Sequence, residues 1–221
     1  DVYKRQLMYN DLTLAFWLIV AGIVFDFFDG FVARLLHSSS AIGVQLDSLA
    51  DVITSGLAPA AVLWQVCLQT EPCWLPEGWK LGYGVFVLAA FSALRLAKFN
   101  IDETQTVEFC GLPTPAGSLL CASLGMLWQQ GMLALSSDGV LLVAVLTSLL
   151  LVSPIRMFAL KFHGFGWRGN EVRYLFLLAS IVLIIILRTY AIPVIIVLYI
   201  VVSAVRWLCM RSGNPDKAPK A

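Results

Sequence analysis

At 221 residues, with 59% hydrophobic residues, 13% charged residues and a formal net charge of +1, the chain is too apolar for a soluble domain. Its mean hydropathy of +0.83 places most of it in lipid. The near-neutral balance, with no basic patch interleaved with aromatics, excludes a nucleic-acid partner.

Residues 1–10 open on DVYKRQ, without a methionine and without the apolar core of a signal peptide, and read as a fragment N-terminus. A first apolar span is predicted over 11–34 and a second over 43–68. QTEPCWLPEGWK then reads as an interfacial loop with two prolines and two tryptophans. A third span covers about 81–97, IDETQTVEFCG is a polar connection, and Pro113 and Pro115 sit where a fourth span, ending near Gln130, can begin. SSDG at 136–139 leads to a fifth span over about 140–160. KFHGFGWRGNEVR is the next polar loop, and spans over about 174–188 and 191–208 flank Arg188. Residues 209–221, ending in GNPDKAPKA, read as a disordered tail. The expectation is an all-α integral membrane protein: a polytopic helical bundle with about seven visible spans, its membrane domain covering 11–208.

Within this apolar pattern one stretch stands out. Asp26, Asp29, Asp47 and Asp51 lie in segments that otherwise belong in a bilayer. Each carboxylate there costs about 2.5 to 3.5 kcal/mol on insertion scales, so four together demand compensation. Asp26, Asp29, Gly30 and Ala33 share one helical face; Gly43, Asp47 and Asp51 recur every four residues and form a second stripe. The short polar link HSSSAI forces the two helices into an antiparallel hairpin, so both stripes meet near one membrane surface. Four carboxylates aimed at one volume repel unless cations lie between them, and all-oxygen ligation suits hard divalent ions such as Mg2+, Mn2+ or Ca2+. Two ions about 3.5 to 4 Å apart suit phosphoryl chemistry. Gly30, Ala33 and Gly43 leave room beside the acids, and Arg34 offers a planar fork that fits phosphate oxygens. A proton-coupled or divalent-cation carrier could use the same acids. It would need a water path to both faces, and the chain shows no internal repeat of the kind that builds many carriers.

The string Asp26-x2-Asp29-Gly30-x2-Ala33-Arg34-x8-Gly43-x3-Asp47-x3-Asp51 resembles, without a gap, the signature of the CDP-alcohol phosphotransferases, membrane enzymes of phospholipid synthesis. SLADVITSGLAPA (48–60), LRLAKFN (94–100) and GLPTPAG (111–117) look like the phosphatidylserine synthase branch. The resemblance covers roughly 11–205. It implies that the hydroxyl of L-serine attacks the β-phosphorus of CDP-diacylglycerol, releasing CMP by direct metal-assisted transfer, with Mg2+ or Mn2+, two ions, as cofactor. It implies metal ligation by Asp26, Asp29, Asp47 and Asp51, with Asp51 also the general base. Gly30, Ala33, Arg34 and Gly43 would border the CDP and its phosphates. Arg95, Lys98 and Asn100 are candidates for substrate binding, set against ordinary positive flanking of a span. The resemblance further implies a homodimer, and a helix ahead of residue 11 that this sequence does not contain. Glycerol 3-phosphate or inositol phosphate is the alternative acceptor; either would call for further cations near the acids.

Placing the hairpin link in the cytoplasm assigns eleven Lys and Arg to that side (Arg34, Arg95, Lys98, Arg156, Lys161, Arg168, Arg173, Arg206, Arg211, Lys217 and Lys220) and four to the other (Lys4, Arg5, Lys80 and Arg188). The positive-inside rule therefore puts the acids on the cytoplasmic face, in a bacterial inner membrane. Arg156, Lys161, Arg168 and Arg173 are topology determinants before they are a lipid headgroup site. His37 and His163 stand alone, and neither begins the HxKxxxxD pattern of the other, phospholipase-D-like kind of phosphatidylserine synthase. Trp74, Trp79, Trp167 and Trp207 fit interfacial belts. The five cysteines, Cys67, Cys73, Cys110, Cys121 and Cys209, form no CxxC pair and read as small apolar residues, with Cys73 in an external loop.

Overall fold

The computed structural model describes residues 11–36, 40–74, 81–101, 108–158 and 170–213, and of Arg34, Ala41, Leu81, Glu108, Phe109 and 210–213 the backbone alone. Expectations for residues 1–10, His37, Trp79, Lys80, Lys161, His163, Trp167, Arg168 and 214–221 lie outside the described residues.

Helix α1 (Leu12–Leu35) and helix α2 (Ala41–Asp51) form the expected hairpin, and a π-helical turn (Val52–Leu57) joins α2 to α3 (Ala58–Leu68). A 3-10 turn (Leu81–Phe86) leads into α4 (Val87–Ile101). Then come β1 (Glu108–Cys110), α5 (Thr114–Gln129), α6 (Ser137–Leu151), β2 (Arg156–Phe158), α7 (Glu171–Leu187), a 3-10 turn (Arg188–Tyr190) and α8 (Ala191–Gly213). Polar side chains start several of these helices by meeting orphan backbone N–H groups. Asp11 Oδ1 accepts from Leu14 N at 2.8 Å, and Ser40 Oγ accepts from Gly43 N at 3.0 Å. Pro113 and Pro115 flank the start of α5, as their lack of an N–H permits.

Helix α3 is the hub, with Ala58, Ala60, Val62, Leu63 and Val66 all buried. Leu12, Ala15, Phe16 and Ile19 of α1 join it, with Cys121, Ala122 and Met126 of α5 and Val140 and Ala144 of α6. In lipid, helices associate through close packing of small residues. A Cβ at Gly125 would collide with Val62 Cγ1, and one at Gly56 would lie 2.9 Å from Ser92 Cβ. Gly111, at φ +76°, sits so close to the Leu151 carbonyl that a side chain there would strike it.

Among the described residues four stretches are long and apolar enough to cross a bilayer: Leu12–Ala33, Ile42–Leu68, Gly82–Ile101 and Glu171–Cys209. The protein is thus an all-α integral membrane protein, but the expected seven spans are corrected. Helices α5 and α6 have 16 and 15 residues, short of the ~20 that about 30 Å of hydrocarbon requires. The fifth apolar run, expected to reach 160, stops at Leu151. Its last turn caps onto the 111–112 segment, with Leu112 N bonded to Leu150 O at 2.9 Å, and Pro154 cannot continue the helix. Residues 156–158 instead pair antiparallel with 108–110, Phe109 opposite Met157, a nonlocal ladder within what read as a polar connection. The run 171–209 is bent rather than straight. Arg188 adopts φ +48°, and the Phe176 and Tyr199 rings lie 5.8 Å apart, whereas a continuous helix would separate them by roughly 35 Å. Helix α8 continues to Gly213, past the boundary drawn at 208.

Candidate active site

Only the first half of α1 is embedded in the bundle. From Val24 onward the helix stands largely clear, with Phe25, Phe27, Phe28 and Phe31 more than half exposed. On this projecting half Asp26 and Asp29, three residues apart, face α2. One carboxylate oxygen from each, with one from Asp47, lies within 4.8 Å of the others. Asp26 is half-buried, while Asp29 and Asp47 are exposed. Asp51, one turn beyond Asp47, stands outside that trio but against Asp26, close enough to share a hydrogen bond.

Three carboxylates converging so tightly form an all-oxygen donor set of the kind hard divalent cations take, and like charges this close repel one another unless a cation lies between them. The residues present fit a divalent ion. A Cβ at Gly30 would meet nothing within 4 Å, so the space beside Asp29 is open. Gly43 lies in the first turn of α2, its nearest neighbour Ser40 Oγ. Ala33 is half-buried on α1, and Arg34 is placed by its backbone near the helix end.

The three residues proposed from LRLAKFN separate. Lys98 is exposed. Asn100 Nδ2 donates to Ser48 Oγ at 2.8 Å and ties α4 to α2. Arg95 alone of the three turns inward: 8% exposed, it lies within electrostatic reach of Asp51. Its Nη1 donates to Thr114 Oγ1 at 2.5 Å. Its guanidinium carbon stands 5.9 Å from the Phe99 ring centroid, a cation–π distance. Arg95 Nε is buried without a hydrogen-bond partner among the described residues.

Three features were not read from the sequence. The first is the π turn directly after Asp51, where Ala58 N bonds Ile53 O, five residues back. Pro59 explains it: the ring has no N–H for the Ser55 carbonyl and presses against it, so the preceding turn widens. The second is Thr114, whose signal was its place between Pro113 and Pro115. The third is Tyr199 of α8, which lies near Arg95 and donates to the Phe158 carbonyl at 2.9 Å. No local pattern marked it. All five cysteines are free, with Cys67 and Cys121 buried and Cys73 and Cys209 exposed.

The fold and this donor set define a polytopic membrane protein that carries a metal-competent acidic hairpin at one end of its bundle. The model of the CDP-alcohol phosphatidyltransferase family matches residues 5–158, and the chain belongs to that family. It is 32% identical over 163 residues to the CDP-diacylglycerol–serine O-phosphatidyltransferase of Bacillus subtilis (strain 168), covering 72% of this chain and 83% of the relative. The enzyme of that name from Helicobacter pylori (strain ATCC 700392 / 26695) is 32% identical over 203 residues, 88% of this chain and 80% of the relative. That from Mycobacterium tuberculosis (strain ATCC 25618 / H37Rv) is 35% identical over 219 residues, 92% and 73% respectively.

Proposed function

We propose that the protein transfers the phosphatidyl group of CDP-diacylglycerol to the hydroxyl of L-serine, giving phosphatidylserine and CMP. The convergence of Asp26, Asp29 and Asp47 beside Asp51 carries the chemistry, and the serine named in three relatives supports the acceptor. Asp26, Asp29 and Asp47 would hold Mg2+ or Mn2+, two ions, with Asp51 at the edge of the set. Bound there, the metal supplies neutralisation of the diphosphate and of the departing CMP. The open side of Gly30, with Ala33, Arg34 and Gly43, borders the CDP moiety. Asp51 takes the hydroxyl proton as the acceptor oxygen bonds to the β-phosphorus and the bond to CMP breaks. Arg95, the positive charge beside Asp51, receives the acceptor's carboxylate. One guanidinium matches the single carboxylate of serine, whereas the extra charge of a phosphorylated polyol would call for more cations.

The positive-inside count supports a cytoplasmic active site in a bacterial inner membrane, and the family resemblance supports a homodimer. The test uses membranes containing the full-length protein, CDP-diacylglycerol, Mn2+ or Mg2+ and radiolabelled serine, beside Asp51→Asn. Label enters lipid with the wild type, and CMP release falls on the order of 10²-fold or more in the variant. Absence of CMP release with any alcohol refutes the assignment; release with glycerol 3-phosphate but not serine moves it to that acceptor.

A further inference from the structure

The guanidinium of Arg95 is engaged at one nitrogen and, among the described residues, unpartnered at another. Nη1 is engaged by Thr114 Oγ1, the ring of Phe99 lies 5.9 Å from its carbon, and Tyr199 stands near it from α8. Tyr199 is itself fixed by its bond to the Phe158 carbonyl and by ring contacts with Phe158 at 4.9 Å and Phe176 at 5.8 Å. Among the described residues Nε–H has no partner, although an orphaned donor on a buried cation is costly and rare. The Nε edge of a guanidinium presents two parallel N–H groups, which match the two oxygens of a carboxylate side-on. Thr114 takes a nitrogen outside that pair. Thr114 is 1% exposed and begins α5 directly after Pro113, so its hydroxyl is fixed by backbone rather than by a flexible stem.

We infer that Thr114 is a positioning residue for acceptor specificity: its hydroxyl turns the Nε edge of Arg95 toward the carboxylate of a small amino-acid alcohol. The inference rests on the reading of the site as a serine transferase. It adds that discrimination for a carboxylate is set by α5, with support from the terminal hairpin, which the family match at 5–158 does not include.

The experiment compares L-serine with serinol, which keeps the amino and hydroxyl groups and lacks the carboxylate, using wild type, Thr114→Val and Thr114→Ser. Valine keeps the shape and removes the acceptor oxygen; serine restores it. The expected result is a serine KM raised about tenfold in Thr114→Val. Its kcat and its KM for CDP-diacylglycerol stay close to wild type, serinol turnover does not change, and Thr114→Ser recovers the wild-type KM. Arg95→Lys, which keeps the charge and loses the fork, raises the serine KM in the same selective way. An equal loss with both acceptors, a raised KM for CDP-diacylglycerol, no change at all, or no rescue by serine overturns the inference. Wild type that turns over neither acceptor overturns the functional reading beneath it, and is distinguished by the wild-type arm alone.

Discussion

At the scale of single residues, four chemically identical groups are set apart by position, and the proposed function gives them different roles. Asp26, Asp29 and Asp47 converge within 4.8 Å while Asp51 is offset against Asp26. Removing a ligand and removing a base should therefore have different signatures. Asp47→Asn is expected to lose Mn2+ binding at least tenfold, because one of three charged donors disappears. Asp51→Asn is expected to keep Mn2+ affinity within a few-fold while losing turnover. Mn2+ titration of the purified protein by electron paramagnetic resonance reads this directly. Equal loss of affinity in both variants would make Asp51 a full member of the metal set. The aspartates were legible from sequence because four charges in apolar helices admit few explanations. The partner of Arg95 was not legible. Whether that arginine is a flank or a binding group depends on which way a helix faces, and that is decided by α5 and α8 packing across it.

Among the elements, the clearest local lock lies at the end of the bundle away from the acids. Asp138, in the first turn of α6, accepts from Trp74 N at 2.5 Å, Cys73 N at 3.1 Å and Gly139 N at 2.9 Å. The Ser136 hydroxyl above all, and then these N–H groups, hold its carboxyl below the usual carboxylate range against the opposing effect of its burial. A depressed folded value means that the stabilisation is fully present above the unfolded pKa of about 3.9 and is lost as pH falls through the lower folded value. Thermal unfolding in detergent from pH 7 to pH 3 should show Asp138→Asn less stable at neutral pH and converging on wild type at the acid end. Parallel curves would remove Asp138 from the acid response. Element boundaries were less legible than element identities. SSDG and Pro113–Pro115 announced two helix starts, whereas the stop at Leu151 depends on Gly111 and Leu112, forty residues earlier in the chain, and the β1–β2 ladder on a pairing no local pattern encodes.

For the whole molecule, alternation of the helices puts Cys73, after α3, and Cys209, near the end of α8, at opposite ends, both exposed and free. A cytoplasmic active site then makes a specific prediction. With the other cysteines replaced by serine, an impermeant maleimide added outside intact cells labels Cys73 and spares Cys209 until the membrane is opened. Labelling of Cys209 from outside would invert the topology. The aromatic flank of α1, exposed at Phe25, Phe27, Phe28 and Phe31, lies on the same half of the helix as Asp26 and Asp29, a pairing that suits the proposed lipid substrate, with its polar head group and apolar tails.

The widened turn at Val52–Leu57 has a consequence for how this membrane segment can vary. One extra residue is accommodated between Asp51 and the hub helix, and the angular phase of the two is set by that surplus. Deleting any one residue there would leave Pro59 in place, so the wide turn would persist, and 26 of the 27 residues of Ile42–Leu68 would remain. Yet it would swing the Asp47 and Asp51 stripe by about 100° relative to the buried face of α3. Such a chain would keep its hydrophobic length and lose the register that aims its charges.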